Sequence, residues 1–407
     1  MADGAADGVV DDAADGAADD VTDRIVGELR AQGSLKWTRH PGALGAWVAE
    51  MDLGCAPAIT RALHAAVDRG LFGYLPDWLA ADVSRAWSDF ARGRYGWDVP
   101  PERVRPLADV LAGLDAAITH FTRPGSPVVL PTPAYMPFLE LPPALGREVL
   151  QVPMARDGGR FVYDLDALDA AFAAGGELLV LCNPHNPIGR VLEPAEMLAV
   201  AEVVDRHGGR VFADEIHAPL VFAPHRHVPY ASLGAVPAGH ALTATSASKA
   251  WDLPGLKCAQ FVLSNDADAQ LWARVGGHAE HGASTLGAVA NLAAWTDGAG
   301  WLDDTLAVLD RNRRLLADLV AEHLPGVSYT PPEGTYLAWL EGLDVDDPGD
   351  LLLREAGVAL VDGARCGDAG RGAVRLNFAT PEPVLVRAVE RMGAALAARA
   401  QPPRTTR

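Results

Sequence analysis

Lys249 is the residue in this chain most suited to covalent chemistry. It closes the stretch Ser246-Ala247-Ser248-Lys249, directly after the apolar run Ala241-Leu242-Thr243-Ala244-Thr245, so a strand would end with a lysine facing a cleft. The free amine of such a lysine forms a Schiff base with a carbonyl compound. Upstream, Ala213-Asp214-Glu215-Ile216-His217 supplies a carboxylate that could hold a pyridine nitrogen protonated. Lysine and acid together are what pyridoxal 5′-phosphate (PLP) asks of a protein. By itself Ser-x-Ser-Lys would read as a solvated lysine in a serine-rich loop, so the weight falls on the motifs around it.

Ser246, Lys249 and, eight residues further on, Lys257 follow a serine, lysine and basic-residue spacing. That spacing resembles fold-type I PLP enzymes, the aspartate-aminotransferase superfamily. Five further stretches narrow the resemblance to the MalY/PatB-like cystathionine β-lyase branch. They are Trp47 to Asp52 (WVAEMD), Phe72-Gly73-Tyr74, Cys182 to Arg190 (CNPHNPIGR), Glu333 to Trp339 (EGTYLAW) and Arg375 to Thr380 (RLNFAT). The match runs in family order from about Asp23 to about Ala398.

The resemblance implies roles residue by residue. Lys249 carries PLP and Asp214 faces its ring nitrogen. Asn186 and His217 reach the phenolic oxygen, and Tyr135 stacks on the ring. Ser246, Ser248, Lys257 and the first N–H groups of a helix at Val110 and Leu111 surround the phosphate. Tyr74 reaches the phosphate of a neighbouring subunit, with Ser284 and Thr285 near that contact, so a homodimer with shared sites is implied. Arg375 is the clamp for the substrate α-carboxylate, because a guanidinium fork fixes rotation about the Cα–N bond. Asn186, Ala49 and Arg365 complete the substrate side. His185 carries no chemical role, and no metal is expected.

Two places depart from the branch. Asp109 stands where glycine is usual, before the helix marked by Val110, Leu114, Ile118 and Phe121. A carboxylate there either turns outward as a helix cap or alters the phosphate cup. Asp362-Gly363-Ala364-Arg365-Cys366-Gly367 replaces a proline and a phenylalanine by Asp362 and Cys366 in a loop that borders substrate in relatives.

The elements that must hold these residues are legible as short apolar runs. Val128–Leu130, Val149–Val152, Leu178–Leu181, Arg210–Ala213, Leu242–Thr245 and Gln260–Leu263 lack polar alternation, as strands covered on both faces do. Helical patterns separate them, so an α/β sheet with its site on the strand-end loops is expected. The resemblance makes it a mainly parallel seven-stranded sheet flanked by helices, with a smaller α+β domain. The expected layout is a disordered acidic tail (1–22), an N-terminal arm joining the small domain (23–55), a large PLP-binding domain (56–282), a small domain (283–400) and a tail (401–407). An extended arm is expected from Leu35. At least one of Thr132–Pro133 and Asn186–Pro187 is expected to be cis.

Formal net charge is −19, and no basic run precedes Arg404, which argues against nucleic acid or an anionic membrane as partner. Four cysteines, Cys55, Cys182, Cys258 and Cys366, are widely spaced, suggesting neither zinc site nor disulfide framework, and a cytoplasmic location. The reading is a PLP-dependent carbon–sulfur β-lyase acting on a small amino acid. An aminotransferase, a decarboxylating variant and a regulatory module that has lost catalysis stay open, because the early steps and the fold are shared.

Overall fold

The computed structural model describes residues 9–400. Its centre is a seven-stranded sheet of β1 (Val104–Leu107), β2 (Val128–Thr132), β3 (Val149–Pro153), β4 (Leu178–Cys182), β5 (Arg210–Asp214), β6 (Ala241–Thr245) and β7 (Ala259–Leu263). The order is β1-β7-β6-β5-β4-β2-β3. From β6 to β3 every pair is parallel, while β7 runs antiparallel to both its neighbours. Strands β2, β4, β6 and β7 are buried at every position, which is why their sequences show no alternation. The strand β1 was missed by sequence reasoning. Its Val-Arg-Pro-Leu carries a proline and a charge, and it can do so because it lies at the sheet edge.

Helix Val110–Phe121 lies close against this sheet because Gly113 has no side chain. A Cβ there would sit 3.2 Å from Ala244 Cβ and 3.3 Å from Leu107 and Phe212 side-chain atoms. The helix packs on β5 and β6, and Asp109 at its N-terminus reaches Lys257 beyond the Ser246–Lys249 loop.

A second, antiparallel sheet holds β8 (Ser328–Tyr329), β9 (Leu337–Glu341), β10 (Val361–Asp362) and β11 (Ala373–Asn377), in the order β8-β9-β11-β10. Helices Ala299–His323 and Glu382–Ala400 pack together beside it. The arm joins this unit through a two-residue parallel pairing of Leu44–Gly45 with Val358–Ala359. Helix Thr285–Asp297, by contrast, packs on helices Pro57–Asp68 and Asp77–Tyr95, so the chain just after 283 still lies on the large unit.

Three expectations need correction or delimitation. The disorder expected for 1–22 lies outside the described residues up to Gly8, but from Val9 the backbone is one helix reaching Ala31. The alanines that dilute the aspartates there are strong helix formers. Leu35, taken as the start of an extended arm, instead opens a four-residue helical turn, Leu35–Thr38. The 401–407 tail lies outside the described residues.

Candidate active site

The loops that leave β2, β4, β5 and β6 at their C-terminal ends converge with the arm and β11. Asp214 is the last residue of β5, in register with Cys182 and Ala244. Burial raises its carboxyl from the ordinary range to about 7, opposed by a hydrogen bond from Ile216 N–H to Oδ1 at 3.0 Å and by Lys249. A carboxylate that costs this much to ionise calls for a buried cationic partner. His217 is buried and held neutral, its pKa lowered to about 3 by burial and by Lys249 and Arg375. Its Nδ1 has no hydrogen-bond partner among the described residues.

Lys249 Nζ donates to Ala49 O at 3.1 Å. The side chain reaches into the interior while part of its surface faces the cleft, and burial lowers its pKa to about 8. Asp252 and Glu50 work against that shift, and Arg375 adds to it. Asp252 was not singled out from the sequence, although an acid three residues after Lys249 was the available signal. Its Oδ1 accepts Met51 N–H at 3.0 Å, tying the Lys249 loop to the arm.

Arg375, on β11, is buried. It donates through NH1 to Asn186 Oδ1 at 3.0 Å and through NH2 to Trp47 O at 2.8 Å. Its Nε has no partner among the described residues. Two sequence-predicted residues, Arg375 and Asn186, are thus in direct contact. Tyr135 follows Pro133 at the end of β2. It is half-buried, edge-on to Phe138 at 5.3 Å, and its hydroxyl feels Arg375, Asp214 and Asp109. Thr132–Pro133 and Asn186–Pro187 are both cis.

At the N-terminus of Val110–Phe121, Asp109 is the helix cap, its Oδ1 accepting Ala112 N–H at 2.9 Å. Its Oδ2 takes Lys257 Nζ at 2.9 Å. The carboxylate therefore caps the helix without leaving the site, which combines the two arrangements weighed from sequence. The N–H groups of Val110 and Leu111, in the first helical turn, are left without an intrahelical acceptor. Ser246 does not aim its hydroxyl outward: Oγ donates to Cys258 O at 2.6 Å and accepts Ser248 N–H at 3.0 Å, shaping the loop. Ser248 is half-buried beside it.

Ala49 lies at the site, but its backbone carbonyl makes the contact. Arg365 is exposed and has no hydrogen-bond or ion-pair partner among the described residues, while its charge is felt at Arg375 and Cys366. Asp362 does not neutralise it, since its two oxygens accept Ala364 N–H and Gly349 N–H, each at 2.9 Å. Cys366 is buried, and its carbonyl accepts Ala134 N–H at 2.8 Å, tying this loop to the one that bears Tyr135. His185 is buried, with Nε2 2.9 Å from Pro133 O, and burial lowers its pKa to about 4.

Tyr74 stands apart. It is 91% exposed, on the rim of an open cavity of about 780 Å³ lined by Phe72, Pro106, His281, Ser284 and Leu286 among others, and neither Lys249 nor Asp214 lines that cavity. Thr285 Oγ1 holds the Tyr74 loop by donating to Gly73 O at 2.7 Å.

The residues present fit PLP. Asp214 and the unpartnered His217 Nδ1 suit its ring nitrogen and a polar ring substituent, and the free N–H groups of Val110 and Leu111 with Lys257 suit its phosphate.

A fold of this kind, with a lysine, an aspartate and an arginine converging on the carboxyl ends of a mainly parallel sheet, defines a class, and the chain belongs to the aminotransferase class I and II family, whose profile matches residues 48–392. Within that family it is 39% identical over 375 residues to the cystathionine beta-lyase of Corynebacterium glutamicum, covering 91% of this chain and 98% of the relative. A crystal structure of a Corynebacterium diphtheriae protein superposes with a TM-score of 0.87 at 39% identity, over 91% of this chain and 98% of that one. The PLP-bound C-S lyase of Staphylococcus hominis superposes with a TM-score of 0.82 at 25% identity, over 87% and 88%.

Proposed function

We propose that this protein is a PLP-dependent carbon–sulfur β-lyase that cleaves an S-substituted cysteine or a cystathionine-like amino acid. The observation that carries the proposal is the convergence of a neutralisable lysine, a buried aspartate and a buried arginine with an unpartnered Nε. Similarity to the named lyases supports the choice of reaction.

Arg375 binds the substrate α-carboxylate, with Asn186 holding the guanidinium plane, and so sets which bond at Cα is presented for cleavage. Lys249, its amine biased toward neutrality by burial, takes the Cα proton as general base. PLP, when bound, supplies the electron sink for the pair left at Cα. Asp214 holds the ring-nitrogen proton that makes this sink effective. The Cβ–S bond then breaks, sulfur leaves as a thiolate, and the remaining enamine hydrolyses to pyruvate and ammonia.

Incubation with cystathionine or an S-alkylcysteine should release thiol, pyruvate and ammonia in equal amounts with no keto acid added. Turnover that needs a keto acid would identify an aminotransferase, a reading kept in play by the unpaired Arg365, which could receive a distal carboxylate. Loss of carbon dioxide would indicate decarboxylating chemistry.

The exposed Phe72 and Tyr74 favour a two-fold dimer in which Tyr74 completes the partner's site. The four cysteines are free, which suits a cytoplasmic setting, and no helix among the described residues is long and apolar enough to cross a membrane.

A further inference from the structure

Four consecutive arm carbonyls end on polar groups of the site. Arg375 NH2 donates to Trp47 O at 2.8 Å, and Asn377 Nδ2 donates to Val48 O at 2.7 Å and Glu50 O at 2.6 Å. Ala49 O takes two donors: Tyr336 Oη at 2.9 Å and Lys249 Nζ at 3.1 Å. A carbonyl oxygen has two lone pairs, so this one is filled. Tyr336 is fully buried just before β9, and its ring stands edge-on to His217 at 6.0 Å. Nothing in the reaction as described uses its hydroxyl.

We propose that Tyr336 is a positioning residue for Lys249, its hydroxyl fixing the Ala49 carbonyl as the docking point for the free lysine amine. This rests on the reading that Lys249 is the lysine that carries PLP. An amine that donates one N–H to a fixed acceptor keeps its lone pair within a narrow arc, which a proton transfer at Cα requires. Without the dock, a long flexible stem samples many rotamers. The phenol also draws on the same oxygen, so the carbonyl stabilises an ammonium less than it would alone. The charged groups facing Lys249 are Asp252 from its own loop, Glu50 from the arm, Asp214 from β5 and Arg375 from β11, and the neutral His217 after β5 faces it as well. Tyr336→Phe leaves all four in place, so a changed pH profile reports the hydroxyl.

The test follows attachment of PLP to the apo-protein, by absorbance, across a pH series. In Tyr336→Phe the midpoint of the rate profile should move up by about half a unit. With the loaded enzyme, kcat for an S-alkylcysteine should fall about tenfold or more while KM stays within about threefold. Asn377→Ala loosens the arm at Val48 and Glu50 but spares both donors to Ala49, and its attachment midpoint should match the wild type. An unchanged midpoint in Tyr336→Phe, or an equal shift in Asn377→Ala, overturns the proposal. If thermal unfolding shows Tyr336→Phe unstable, Tyr336→Met, which fills the volume without a donor, is read in its place. Lys249→Ala separates the two levels: attachment surviving there sinks the assignment of Lys249 itself, whereas its loss, with no effect of Tyr336→Phe, sinks only the docking role.

Discussion

Asp109 places a carboxylate at the point where a helix N-terminus, two free N–H groups and Lys257 would receive a phosphate. With one oxygen it caps Ala112 N–H, and with the other it holds Lys257, so the cation that should meet the phosphate is already paired. Replacing Asp109 by Asn keeps a cap acceptor and removes the charge. Since both partners are partly exposed, the gain is modest: Asp109→Asn should tighten PLP binding by about three- to tenfold, and less at high salt. Equilibrium titration of apo-protein with PLP at two ionic strengths measures it. Weaker binding in the variant would show instead that Asp109 shares a proton with the phosphate. Lys249, Asp214 and Arg375 could be picked out in the sequence because each stands in a stretch that resembles a family motif, and the fold brings them within reach of one another's charge. The Ala49 carbonyl was not, because a backbone acceptor has no residue signature and only the folded arm brings it to Lys249. Tyr336 stood inside a recognised stretch, yet its partner lies 287 positions away.

Among the elements, the sheet strands were visible as apolar runs because burial on both faces removes alternation, whereas the arm was misread because its contacts go to residues scattered along the chain. Leu44–Gly45 pairs with only two residues, Val358–Ala359, which no local pattern announces. The anchor that matters more is Lys36, a cation that the structure buries. Its Nζ lies 2.7 Å from Asp52 Oδ2, both side chains almost fully buried, and donates to Glu50 O at 3.2 Å. Asp52 also accepts Trp37 Nε1–H at 2.8 Å, so the pair closes the arm into a loop around Ala49. Removing one partner of a buried pair strands the other's charge, at a cost of about 3–5 kcal/mol, whereas removing both is far milder. Lys36→Met should therefore lower the thermal midpoint sharply, and Lys36→Met combined with Asp52→Leu should recover more than half of that loss. A double variant no more stable than the single would mean that the arm is fixed elsewhere, for instance through Asn377.

At the scale of the whole molecule, one residue of the expected site does not join the others within a single chain. Tyr74 is exposed, and Phe72 beside it is 65% exposed, on a cavity that neither Lys249 nor Asp214 lines. An aromatic pair left in water at the end of an ordered loop, itself held by Thr285, is the kind of surface that a second copy covers. If the dimer shares its sites, two defects placed on different subunits should complement. Lys249→Ala removes the amine from its own site, and Tyr74→Ala removes the phosphate contact from the partner's. In a hybrid of the two variants, the subunit that keeps Lys249 receives its Tyr74 from the other chain, so one of its two sites is intact. Random reassociation makes about half the dimers hybrids, so mixing two inactive preparations should restore roughly a quarter of wild-type activity. The recovered rate, measured as pyruvate formed from an S-alkylcysteine after exchange of subunits, decides the matter. If mixing yields no more than the sum of the separate preparations, although exchange is verified with differently tagged chains, Tyr74 does not serve the neighbouring site. The cavity it rims would then need another explanation.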